Sequence, residues 1–120
     1  MRPGVVRRTV DREQSEAKEV LGMYVVVQHK FKDPQAALAR GEKLIRNEDA
    51  PTGVRGLQFY PSEDHSAATC LWEADSVDAV QAYVDSTLGD SSENTCYAVD
   101  ADQAFARQPL GIRETVTIGT

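Results

Sequence analysis

The chain has 120 residues, of which 41% are hydrophobic and 27% charged, and its formal net charge at pH 7 is −6. A single domain of this size buries roughly two-thirds of its unfolded surface, so neither a disulfide framework nor a metal is needed to hold a core. The composition is that of a soluble globular protein and excludes collagen-like, disordered and membrane classes. The longest apolar run, residues 23–27, falls far below the ~20 residues of a membrane helix.

The first 22 residues are expected to form an extension, with a short strand at 5–10 and a polar helix at 11–21, so that Met23 opens the domain proper. Residues 23–31 (MYVVVQHKF) are β-branched and aromatic and predict a strand buried on both faces near its start. Asp33 and Pro34 then supply an N-cap and a proline at the first helical position. Ala37, Leu38, Gly41, Leu44 and Ile45 follow at helical spacing and form one apolar face. Pro51 and Gly53 end that helix, and a second strand is predicted at 54–60. A polar connection at 61–66 leads to a third strand at 67–74. Ser76 caps a second helix whose buried stripe is Val77, Val80, Val84, Thr87 and Leu88, with Gly89 as its stop. Residues 94–99 give a fourth strand, and residues 101–120 a C-terminal extension. Within that extension a helical turn is expected through Ala104 and a small fifth strand at 115–118.

Charge narrows the partners. The first 22 residues carry five bases and four acids of the 13 and 19 in the chain, which leaves the remainder with a net charge of −7. Such a body repels phosphate backbones, and no Lys/Arg cluster interrupts the repulsion, so neither nucleic acid nor a membrane is an expected partner. Cys70 and Cys96 have no metal-type spacing, and no hydrophobic signal region precedes a cleavage site. The expected location is therefore cytoplasmic.

The order β-α-β-β-α-β over residues 23–100 predicts a ferredoxin-like α+β domain. Its antiparallel sheet would run in the order 4-1-3-2, with both helices on one face and the other face bare. Together with residues 70–77 (CLWEADSV), which lead from strand to helix, and 94–100 (NTCYAVD) in the last strand, this order resembles the dimeric α/β-barrel superfamily. That group includes small cofactor-independent monooxygenases, polyketide cyclases, haem-degrading enzymes and proteins of unknown role. The resemblance implies a homodimer through the bare sheet face and a ligand held between sheet and helices. The matching segments are packing patterns without a catalytic signature, and fold alone does not specify function.

Strand alternation assigns the faces. Met23, Val25, Val27, His29 and Phe31 should share the helix-covered side with Leu57, Phe59, Ala68, Cys70, Trp72 and Ala74. Tyr24, Val26, Gln28, Gly56, Gln58, Tyr60, Leu71 and Glu73 should lie opposite, in a mixed set suited to a sheet-to-sheet interface. By the resemblance, a pocket for a small aromatic ligand would be lined by His29, Phe31, Leu57, Phe59, Cys70 and Trp72, and completed by Gly41 and Tyr83.

Gly41 costs about 1 kcal/mol in a helix interior relative to alanine, so it either permits close packing or leaves space for a ligand. His29 is the one ionisable side chain expected on the inner face. It reads either as a general base near neutrality or as a hydrogen-bonded strand-end histidine. Trp72 belongs to the core, yet its N–H needs a partner and its indole can stack on a planar ligand. Tyr97 could face either way. The cysteines read as small buried residues. Two strand spacings, roughly 9.5 Å, exceed the ~7 Å Cα limit for a disulfide, so both should be free thiols. No metal site or cofactor is expected: the P-loop, dinucleotide, nucleophile-elbow and H-E-x-x-H motifs are all missing.

Three functions fit these residues. One is a small enzyme that oxygenates or cyclises a planar substrate with His29 as base. The second is a non-catalytic dimer that binds a ligand or a protein partner. The third is a structural subunit whose pocket is filled by its own side chains. A sizeable cavity separates the first two from the third, and a perturbed His29 within it favours the first.

Overall fold

The computed structural model describes residues 22–114. The elements expected at 5–10, 11–21 and 115–118 lie outside those residues. In chain order the elements are β1 (Met23–Phe31), α1 (Pro34–Ile45), β2 (Arg55–Pro61), β3 (Ala67–Ala74), α2 (Val77–Leu88) and β4 (Ser92–Ala98), with one 3-10 turn between α2 and β4. β1, β3 and α2 have the bounds read from the sequence. β2 and β4 are displaced by one or two residues.

Both helices begin as their sequences dictate. The Asp33 side chain accepts from the Ala36 N–H at 3.2 Å, and the Ser76 hydroxyl accepts from the Ala79 N–H at 3.1 Å, each satisfying a donor that the first turn leaves free. Gly89 ends α2 with a φ of +57°, a conformation that glycine adopts without a Cβ penalty. After β4 the chain makes the expected single turn, in which the N–H groups of Gln103 and Ala104 donate to the Asp100 carbonyl.

The strands form one antiparallel sheet in the order β2-β3-β1-β4, which is 4-1-3-2 when read from the β4 edge. Pro61 sits in β2 because that strand is an edge, where a missing N–H costs no ladder bond. Val25 and Val27 of β1, Cys70, Trp72 and Ala74 of β3, and Val80, Val84 and Leu88 of α2 form one buried cluster with Leu44 of α1. The element order, antiparallel sheet and common helix face are those of the ferredoxin-like pattern.

One face assignment is corrected. The β2–β3 register shifts between Gly56 and Gln58, so Gly56 pairs with Trp72 and Phe59 with Cys70, while Gln58 pairs with Leu71. Leu57 is the extra residue of a bulge. Strict alternation therefore fails at this point: Gly56 joins Phe59 on the covered side, and Leu57, unpaired at the bulge, still reaches the space on that side. A Cβ on Gly56 would come within 3.3 Å of the Trp72 ring, so the backbone approaches the indole where a larger residue would crowd it.

Candidate functional site

The covered face carries a cavity of about 360 Å³ between sheet and helices. β1 contributes His29 and Phe31, β3 contributes Cys70 and Trp72, and the bulged β2 contributes Gly56, Leu57 and Phe59. Ala37, Leu38, Gly41, Leu44 and Ile45 of α1 and Leu88 of α2 supply the opposite wall. An apolar cavity of about 150 Å³ is enough for benzene, so this one has room for a fused or extended planar molecule.

Seven of the eight residues singled out in the sequence surround this space: His29, Phe31, Gly41, Leu57, Phe59, Cys70 and Trp72. Tyr83 does not. It packs edge-on against Trp72 with ring centroids 5.8 Å apart, its hydroxyl donates to the Glu48 carbonyl, and it faces a separate surface hollow with Arg40 and Lys43. It supports the indole from behind. Gly41 resolves its two readings in part, since a Cβ there would meet only Leu88 Cδ2 at an ordinary 3.7 Å. Close helix packing does not require the glycine. What it preserves is volume in the cavity.

His29 is buried, at 4% exposure, and both of its ring nitrogens are engaged. Nδ1 lies 2.7 Å from Asn94 Oδ1, and Nε2 lies 3.1 Å from Cys70 Sγ. The tautomer follows from the partners. The Asn94 amide nitrogen donates to the Asp85 carboxylate at 2.9 Å, and a carboxylate only accepts, so Asn94 Oδ1 must turn toward His29. Ser92 Oγ–H donates to the same Oδ1 at 2.6 Å. His29 therefore carries its proton on Nδ1, and the Nε2 lone pair faces the Cys70 thiol. Gln81 steadies the outer end, donating to the Asp85 carboxylate and to the Asn94 carbonyl.

The charge states agree with this arrangement. Burial pushes the His29 pKa below its ordinary value, against the smaller opposing effects of Asn94 and the Asp85 charge. Burial also pushes the Cys70 thiol up to about 12. At neutral pH the pair is a thiol beside a neutral imidazole, with Sγ–H donating to Nε2. The Phe31 ring stacks on the imidazole at 5.7 Å and an interplanar angle of 26°. Trp72 Nε1–H is buried and has no hydrogen-bond partner among the described residues.

No family model, curated protein or solved structure matches this chain significantly. The site must be read from its own chemistry.

Both cysteines are free. They pair across β1 with opposite sides of Val27, the separation that the strand order requires. Among the described residues no three His, Cys, Asp or Glu side chains converge as metal ligands, and no helix is long and apolar enough to cross a membrane. Sequence reasoning missed Asn94, Asp85 and Ser92. Their signal was the β1–β4 register, which sets Asn94 directly opposite His29.

Proposed function

We propose that this protein binds a planar, largely apolar organic molecule in the cavity between its helices and its sheet. The observation that carries the reading is the cavity itself. It is large enough for a ligand, it is walled by Phe31, Phe59 and Trp72, and it is kept open at Gly41 where a larger side chain would fit. A structural subunit that filled its own interior would have little reason to keep that volume. For catalysis of the oxygenation or cyclisation type, His29 Nε2 is the available base. To deprotonate a bound phenol it must first exchange its contact with the Cys70 thiol.

The molecule is further proposed to act as a homodimer, packed through the uncovered sheet face in the manner of dimeric α/β barrels. Val26 and Leu71 pair at the centre of that face, and Tyr24, Tyr60 and Tyr97 stand around them at 40%, 37% and 49% exposure. Obligate interfaces commonly bury more than ~2,000 Å², and aromatic residues with hydroxyls suit such a surface. The test is a titration with naphthol, followed by thermal unfolding and by the fluorescence of Trp72, the chain's one tryptophan. Saturable quenching with a raised midpoint is expected. Absence of both at millimolar naphthol would overturn the binding reading.

A further inference from the structure

Cys70, His29 and Asn94 form a connected row that the binding reading does not use. The thiol lines the cavity. Its hydrogen points at a lone pair held in place by the amide behind it, with heavy-atom separations of 3.1 Å and 2.7 Å. The thiol–imidazole–amide order is one that serves nucleophilic cysteines on unrelated folds, where the amide fixes the imidazole and the imidazole takes the thiol proton. The Trp72 ring on the same cavity adds a flat wall on which a planar guest can stack.

We propose that Cys70 adds to a planar α,β-unsaturated carbonyl compound bound in this cavity, with His29 as proton acceptor and Asn94 as the residue that positions His29. The proposal rests on the cavity being a ligand site. In the addition, the Sγ–H bond breaks as Sγ bonds to the β-carbon, and the proton moves to His29 Nε2. The electron pair of the C=C bond shifts toward the carbonyl oxygen to give an enolate. The imidazolium then returns the proton to the α-carbon, which leaves a thioether and a neutral histidine. No oxidant or reductant is consumed, and the sequence can run backwards. The resting thiol remains protonated and is protected by burial, so the nucleophile is released only when an electrophile lies beside it.

The test uses the whole chain with benzylideneacetone, a planar aromatic enone, and its saturated counterpart benzylacetone. Cys96, which is less buried than Cys70 and lies on the other side of Val27, serves as the internal control. Intact mass and peptide mapping over time should show one benzylideneacetone on Cys70 while Cys96 stays unmodified. His29→Gln should slow the Cys70 adduct about 100-fold or more and leave Cys96 unmodified as in the wild type. Asn94→Ala should slow it as well, and provides the same comparison if the histidine variant fails to fold. Preferential reaction of Cys96, or a Cys70 rate indifferent to both substitutions, would overturn the proposal. If benzylacetone binds by Trp72 fluorescence but benzylideneacetone leaves Cys70 unmodified, the nucleophile is rejected and the binding site stands. If neither compound binds or reacts, both readings fall.

Discussion

The two faces of the sheet are built from the same strands and reach opposite outcomes. On the covered face, Val25, Val27, Trp72 and Ala74 are almost wholly removed from solvent, and His29 is buried with two hydrogen-bonding partners. On the open face, Tyr24, Tyr60 and Tyr97 stand partly exposed beside the Arg55–Glu73 ion pair, whose closest atoms are 2.6 Å apart. A period of two residues separates these environments along β1, β3 and β4, and in β2 it is interrupted at the Leu57 bulge. The difference shows where each kind of chemistry can reside. A desolvated imidazole and a high-pKa thiol need the covered face, whereas a broad amphipathic surface suits association between copies.

The strongest way to break the contrast is to remove its anchor. Trp72→Ala should cost about 3–5 kcal/mol in denaturant unfolding, because the indole is buried and joins the walls of the cavity to Tyr83. On the open face, Leu71→Asp should convert a dimer to monomer by sedimentation, or unfold it, since each copy would place an unpaired charge in the interface. A wild type that sediments as a folded monomer at micromolar concentration would remove the dimer from the account.

A smaller effect follows from His29. Its folded pKa lies below the ordinary 6.5, so the unfolded chain binds the additional proton more readily than the native one. Its contribution to stability is complete above pH 6.5 and is lost as pH falls through the lowered folded value. Thermal midpoints of wild type and His29→Gln should therefore diverge least at pH 5 and most at pH 7–8 if the histidine network stabilises the fold. Parallel pH curves would contradict the assigned protonation state. Smallest of all, Gly41→Ala should leave the fold intact or stabilise it by up to about 1 kcal/mol while weakening naphthol binding. Unchanged affinity would mean that the cavity volume beside α1 is not used.

Local chemistry made the framework legible. Asp33-Pro34, Ser76 and Gly89 mark helix ends through interactions within a few residues, and β1 and β3 are apolar enough to announce themselves. Seven of the eight pocket candidates lie around one cavity because they sit on the central strands β1 and β3, on the adjoining edge strand β2 or, in Gly41, on the helix above them. Tyr83 shares the apolar stripe of α2, but the side of the stripe that meets the cavity depends on how the helix is rotated, which periodicity does not supply. The bulge at Leu57 was hidden for a related reason: one extra residue moves Gly56 to the covered face without changing the composition of the strand. The Asn94–His29–Cys70 row required two inter-strand registers at once, and neither is a local property.

The central claim is that the covered face holds a planar organic molecule and the open face does not. Amide and indole NMR signals followed through a naphthol titration test this directly. The predicted result is a saturable set of shifts at Gly41, Gly56, Phe59 and the Trp72 indole, with Tyr24 and Tyr97 unmoved. Shifts confined to the open face, or none at saturating naphthol, would contradict it.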